Sequence, residues 1–220
     1  MLVHRGRLPG FTENTVDAFV ECAHLGADGV ELDVRRCADG ALVVIHDPMV
    51  AGLGVVADLA VGDLPGWVPL LGEALAACGT MSVNVEIKND PSEPGFDDSG
   101  SLAMAVAEVL AGREEQVVVS CFNRPTLDAV RTENSQLPTA WLATGLDGAE
   151  LNELATAGHN GVNLLHLAVT EDLVTRAHSA GLQVGAWTVD EPGRMRELAG
   201  WGVDTVITNE FLLARGVFGG

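Results

Sequence analysis

Basic side chains are scarce in this 220-residue chain: 12 Lys and Arg stand against 31 Asp and Glu, for a formal net charge of −19. Proteins that neutralise nucleic-acid phosphates or dock electrostatically on anionic lipid need basic patches, so this balance argues against both classes. Four cysteines, Cys22, Cys37, Cys78 and Cys121, form no CxxC pair or other metal-type spacing. They read as small apolar residues of a reducing compartment. No apolar run reaches membrane-spanning length, and the opening MLVHRG enters a strand without a charged-then-apolar leader. A soluble, cytoplasmic protein with no membrane anchoring is expected. The chain also lacks a linker, a composition break and a repeat at solenoid period, which points to a single domain over residues 1–220.

The composition is rich in core-forming residues. Hydrophobic side chains make up 47% of the chain, ample for one sizeable core. The stretch ADGVELDVRRCADGALVVIHD, from Ala27 to Asp47, shows how they are placed. Val30, Leu32 and Val34 alternate with Glu31 and Asp33, so a strand here has one aliphatic face and one carrying two carboxylates. A second short strand, Ala41 to His46, follows a turn at Asp39-Gly40. The strand Ser82 to Lys88 repeats the pattern, with Val83, Val85 and Ile87 on one face and Asn84, Glu86 and Lys88 on the other.

A helix from about Val16 to Leu25 comes first, capped by Asn14 or Thr15 and closed by Gly26. After the two strands comes a loop from Met49 to Pro69, and then a helix from Leu70 to Cys78. From Leu102 onward helices and strands alternate: helix Leu102–Ala111, strand Gln116–Cys121, helix Pro125–Thr132, strand Thr139–Ala143, helix Ala149–Ala157 and strand Gly161–Leu165. Helix Glu171–Ala180, strand Leu182–Thr188, helix Pro192–Ala199, strand Val203–Thr208 and helix Glu210–Arg215 complete the chain. Helix-connected strands beginning at Met1, Gly29, Ser82, Gln116, Thr139, Gly161, Leu182 and Val203 predict a closed (β/α)8 TIM barrel. Such a barrel presents its chemistry at the C-terminal ends of its strands.

His4, Glu31, Asp33, Glu86, Lys88 and Trp187 all fall at or near those ends, and His46 can fold over them. Glu31, Asp33 and Glu86 supply three carboxylates whose mutual repulsion demands a positive partner. All-oxygen ligation favours one hard divalent cation, Mg2+ or Ca2+. The competing reading is an ion-pair network in which Lys88 and Arg5 neutralise the acids without a metal. His4 and His46 are the candidate proton-transfer groups, and His24, His159, His166 and His178 have no assigned role. Lys88, the only lysine, is either a salt-bridge partner of Glu86 or a point charge for an anionic substrate. Trp187 either walls a substrate pocket or fills the barrel top.

His4-Arg5-Gly6 with Glu13-Asn14-Thr15, then Gly26-Ala27-Asp28 with Glu31-Leu32-Asp33-Val34, and His46-Asp47-Pro48 resemble the signatures of the glycerophosphodiester phosphodiesterase family. Glu86-Ile87-Lys88, Ser120-Cys121-Phe122, Trp187-Thr188-Val189 and Gly202-Val203-Asp204 leading to Ile207-Thr208 follow in that family's order. The resemblance spans nearly the whole chain. It implies hydrolysis of a small-molecule glycerophosphodiester to glycerol 3-phosphate and an alcohol, with a divalent cation. It makes His4 and His46 the acid/base pair, Glu31, Asp33 and Glu86 the metal ligands, and Arg5 and Lys88 the phosphate contacts, with Trp187 at the substrate.

Departures from the family pattern are Asn209, where an aspartate is usual, Cys121, where a serine usually precedes Phe122, and the segment AGLGVVADLAVGD after Pro48. That segment holds single valines and leucines among glycines and aspartates, from which a preference for small soluble substrates is expected. The alternatives are phospholipase D-like or C-like chemistry on lipid head groups, and a non-catalytic barrel that binds phosphate or metal.

Overall fold

Every expected strand forms, and each starts within two residues of its expected position. The computed structural model describes residues 1–218; Gly219 and Gly220, the end of the expected 1–220 domain, lie outside the described residues. In chain order the elements are β1 (Leu2–His4), α1 (Val16–His24), β2 (Gly29–Arg36), β3 (Leu42–Val44), β4 (Met49–Val50), β5 (Gly54–Val55), α2 (Leu71–Cys78) and β6 (Ser82–Ile87). They continue as α3 (Ser101–Leu110), β7 (Val117–Cys121), α4 (Arg124–Glu133), β8 (Thr139–Ala143), α5 (Gly148–Ala157) and β9 (Gly161–Leu165). The last are α6 (Glu171–Ser179), β10 (Gln183–Trp187), α7 (Pro192–Gly200), β11 (Thr205–Thr208) and α8 (Phe211–Phe218).

Parallel pairing runs β1, β2, β6, β7, β8, β9, β10, β11, and β11 returns to β1 through Leu2 opposite Ile207 and Val3 opposite Thr208. The sheet is therefore a closed (β/α)8 barrel. Its register sets the site: His4 stands beside Glu31, and Glu31 beside Asn84, while one step higher Asp33 stands beside Glu86 and Glu86 beside Ser120. Paired residues in a parallel ladder share a face, so these polar side chains all point into the barrel.

Val34 is opposite Ile87 of β6 on one side and Val44 of β3 on the other. Antiparallel β3 thus takes the edge of β2 that β1 leaves after His4, and it carries the chain up to His46.

Helix boundaries follow the local chemistry. Thr15 caps α1 by accepting from the Ala18 N–H, and Gly26, with φ 73°, reverses the chain after it. Aliphatic side chains from the strands and the inner faces of the helices form two main clusters. One centres on Phe19, Leu32, Leu75, Val85 and Leu127, the other on Leu154, Leu164, Val184, Met195 and Leu198. Full burial of each such side chain contributes roughly 1.5–3 kcal/mol. All four cysteines are free and buried, and burial pushes the thiols of Cys22, Cys78 and Cys121 up to about 12.

The segment expected as a loop from Met49 to Pro69 is more ordered than its composition implied. It holds the β4–β5 hairpin and two 3-10 turns, Val56–Asp58 and Val61–Asp63. Gly52 and Gly54, at φ 78° and 117°, permit the reversal. Val50 and Val56 then bury against Cys37, Val43, Ile45 and Val68, a small core of their own. Among the described residues, no helix is long and apolar enough to cross a membrane.

Candidate active site

β1 ends at His4, and the next two residues turn in the left-handed region, Arg5 at φ 55° and Gly6 at φ 65°. A side chain at position 6 would stand 2.8 Å from the Phe19 ring, so glycine is required there. Arg5 has no such freedom, and its conformation costs about 1–2 kcal/mol. Four contacts hold it: its N–H donates to Glu31 Oε2 at 3.0 Å, and its C=O accepts from the Asn14 N–H at 2.8 Å. Its Nε lies 3.2 Å from Asp33 Oδ2, and its Nη1 lies 2.9 Å from Glu13 Oε1. Asn14, itself at φ 58°, donates to Asp33 Oδ2 at 2.7 Å. The strained loop is organised around the acids of β2.

Oxygens of Glu31, Asp33 and Glu86 lie within 4.8 Å of one another, and all three residues are buried. Lys88 pairs with Glu86 and, at 3.0 Å, with Asp33 Oδ1. Burial pushes Asp33 up, but Lys88 and Arg5 outweigh it and hold the carboxyl below its usual range. Burial lifts Glu86 to about 7 despite Lys88. Glu31 is pushed well above the carboxylate range, by burial first and then by the charges of Asp33 and Glu86.

The ion-pair network expected as the competing reading is present, yet it serves Asp33 and Glu86. Glu31 Oε1 is buried with no hydrogen-bond partner. An orphaned carboxylate oxygen inside an all-oxygen cluster fits a hard divalent cation.

The two histidines approach from different elements. His4 Nδ1 is 2.8 Å from Asn209 Oδ1, and Nε2 is 3.8 Å from Glu31 Oε2. Burial holds this imidazole below its ordinary value. His46 Nδ1 meets Asp47 Oδ1 at 2.7 Å, and its backbone oxygen accepts from Arg35 Nε at 2.8 Å. Both rings line a cavity of about 260 Å³ together with Arg5, Glu31, Glu86 and Lys88. Asn84, Phe122, Leu142, Trp187, Thr188 and Ile207 complete its wall. Trp187 is anchored by its Nε1–H to the Asn163 carbonyl at 2.9 Å and packs edge-on against Phe122, centroids 5.5 Å apart. The barrel thus brings seven of the eight expected site residues to one cavity; Asp33 sits behind it, bridging Arg5 and Lys88.

A model of the glycerophosphoryl diester phosphodiesterase family matches residues 4–213 of this chain. The chain belongs to that family. Membership places it among the phosphoric diester hydrolases. As a glycerophosphoryl diester phosphodiesterase family member it is 30% identical, over 232 residues, to the glycerophosphodiester phosphodiesterase of Caldanaerobacter subterraneus subsp. tengcongensis; the match covers 96% of this chain and 93% of that protein.

The family barrel also matches solved structures. The glycerophosphodiester phosphodiesterase from Thermotoga maritima superposes with a TM-score of 0.81 at 25% identity, covering 98% of this chain and 96% of that one. An Oleispira antarctica phosphodiesterase, solved with the product sn-glycerol-3-phosphate, superposes with a TM-score of 0.87 at 20% identity, over 100% and 97% of the two chains.

Sequence reasoning passed over several residues that this family member brings to the site. Glu13 and Phe122 stand in the family signatures without a role, and Asn14 is expected only as an alternative cap of α1, where Thr15 caps and Asn14 instead holds Asp33. Asn209 was noted only as a departure, and Asp190 not at all. Their positions depend on loop backbone and on strands far apart in sequence; only the polar residues just past β1, β10 and β11 offered a signal.

Proposed function

We propose that this barrel mouth hydrolyses glycerophosphodiesters to glycerol 3-phosphate and an alcohol, with a divalent cation held by Glu31, Asp33 and Glu86. The supporting observation is the unpartnered Glu31 oxygen within the acid cluster, in the same cavity as two histidines. A cation bound there would supply charge neutralisation at a non-bridging phosphate oxygen. Arg5 and Lys88 would donate to phosphate oxygens from the same side. The attacking oxygen bonds to phosphorus and gives its proton to one histidine, while the other histidine protonates the alkoxide that leaves. His4 and His46 would serve that exchange from opposite elements, and Trp187 would flank the organic part.

The decisive experiment is release of glycerol 3-phosphate from glycerophosphocholine, with and without EDTA. Turnover that disappears in chelator and returns with Mg2+ or Ca2+ is expected, with a parallel fall and recovery in Tm, since a ligand bound only by the folded state stabilises it. Full activity in excess EDTA would remove the cation.

A second reading concerns the substrate's alcohol. The expectation of a small soluble substrate rests on the net charge of −19, the lack of a basic cluster and the isolated apolar residues after His46. Met49, Leu53 and Trp67, however, are 56%, 47% and 48% exposed on that same excursion, and Met49 and Trp67 share a shallow cavity with His46. These residues favour an acyl chain beside the mouth. Comparing kcat/KM on glycerophosphocholine and on lysophosphatidylcholine, below micelle-forming concentration, separates the two substrates.

A further inference from the structure

The amide that contacts His4 cannot turn freely. Asn209 Oδ1 faces His4 Nδ1 at 2.8 Å, and Asn209 Nδ2 donates to Asp190 Oδ2 at 2.8 Å. A carboxylate only accepts, so the amide NH2 must face Asp190 and the amide oxygen must face the ring. Asp190 is itself fixed, because its Oδ1 accepts from Thr208 Oγ1 at 3.1 Å and from the Asn209 N–H at 2.8 Å. A ring nitrogen facing a carbonyl oxygen must carry a proton. Neutral His4 therefore holds its hydrogen on Nδ1 and leaves the lone pair on Nε2, which faces Glu31. The three residues lie at or just past the ends of β10, β11 and β1, consecutive strands of the barrel.

We infer that Asp190 and Asn209 act together as positioning residues that lock the tautomer of His4. Every proton His4 takes or gives during phosphodiester cleavage then passes through Nε2. The inference rests on the reading of His4 as a proton-transfer group, but the lock itself can be observed without turnover. It also gives a physical role to Asn209, whose amide transmits the polarity of the Asp190 carboxylate to the ring.

An isosteric exchange reverses that polarity without removing a hydrogen bond. In Asp190→Asn the new amide keeps its oxygen toward Thr208 and the backbone N–H, and turns its nitrogen to Asn209. Asn209 must then present its oxygen to that nitrogen and its own NH2 to His4. The ring nitrogen facing it must accept, which drives the His4 hydrogen to Nε2. Adding Asn209→Asp restores an acceptor for both neighbours and returns the hydrogen to Nδ1, with the same net charge as the parent chain.

The test combines imidazole 15N shifts of His4 in the full-length protein, at a pH where the ring is neutral, with kcat and KM on glycerophosphocholine. The parent should show the Nδ1–H tautomer. Asp190→Asn should shift it toward Nε2–H and lower kcat about 10- to 100-fold, the usual effect of removing an orienting partner, with KM changed far less. The Asp190→Asn/Asn209→Asp double variant should recover both tautomer and kcat. A parent in the Nε2–H form, an unmoved tautomer in Asp190→Asn, or a double variant no better than the single would each overturn the lock. A reversed tautomer with unchanged kcat would leave the lock standing and overturn the role given to His4, which His4→Ala checks separately.

Discussion

The ends of β1, β2 and β6 carry His4, Glu31, Asp33 and Glu86, with Arg5 and Lys88 one residue beyond, whereas across the cavity β7, β8, β10 and β11 contribute Phe122, Leu142, Trp187 and Ile207. Charge is thus confined to one arc of the mouth. Confinement concentrates repulsion, and it shows: burial and neighbouring carboxylates push Glu31 and Glu86 upward, while two cationic side chains hold Asp33 down. The opposite arc has nothing to titrate. Its apolar surface excludes water, and exclusion of water strengthens every electrostatic interaction facing it. On the proposed reading the charged arc handles the phosphoryl group, and the neutral arc handles what is attached to it.

Substitutions that respect this division should separate the two arcs. On the proposed reading the largest effect belongs to His4 and His46. His4→Ala and His46→Ala should each lower kcat roughly 10²-fold or more. The double variant should lose less than the product of the single losses, because the two act in one step. A His46→Ala enzyme with near-normal kcat would move His46 from the chemistry to the scaffold.

The next effect is on stability, and on the proposed reading it appears only when the acid cluster is stripped of cation. Glu86 titrates near 4.5 when unperturbed and at about 7 in the fold. Between those values the folded state keeps a proton that the unfolded chain has released. The contribution is therefore full below about 4.5 and lost as pH rises through 7; Glu31 works in the same direction. On the order of 3 kcal/mol should disappear across that window in EDTA. His4, His159 and His166, all held low by burial, work oppositely, and of the three only His4 stands at the cluster. The difference between denaturation midpoints in EDTA and in Mg2+, followed from pH 5 to pH 8, isolates the cluster. An EDTA curve parallel to the Mg2+ curve would mean that the charged arc needs no cation.

The smallest effect belongs to the neutral arc. Trp187→Ala removes the ring that packs against Phe122 and should raise KM about fivefold, close to 1 kcal/mol of lost binding, with kcat little changed. A loss confined to kcat would show that the two arcs do not divide the work.

How much of this was legible in the sequence varies with distance along the chain. Alternation in Val30 to Val34 and in Val83 to Ile87 placed β2 and β6 correctly, because the aliphatic face of a strand repeats every second residue even where the polar face is buried too. The acids and Lys88 follow from being on those strands or at their ends, whereas His4 ends β1 and His46 lies just past β3. The β4–β5 hairpin was not legible. Its strands are two residues each, and its valines bury only because Cys37, Val43 and Ile45 arrive from β3 and its flanks. Arg5 and Asn14 stand in left-handed backbone that no local propensity favours; contacts to Glu31 and Asp33, 19 to 28 residues away, hold them there. The Asp190–Asn209–His4 chain spans the closure of the barrel, a 205-residue separation between His4 and Asn209 that becomes visible only when β11 meets β1.

Lys88 has a practical consequence outside enzymology. It is the sole lysine, its ammonium is clamped by Glu86 and Asp33, and its pKa is raised above the ordinary value by those carboxylates against the pull of burial. A protonated, shielded amine is a poor nucleophile, so acylating reagents should find no reactive lysine while Glu86 and Asp33 hold it. Once local opening releases Lys88, modification at a single known position would record it. The rate of Lys88 acylation, followed by peptide mass so that the Met1 α-amine is counted apart, thereby becomes a gauge of how often the end of β6 breathes, with no second lysine to subtract.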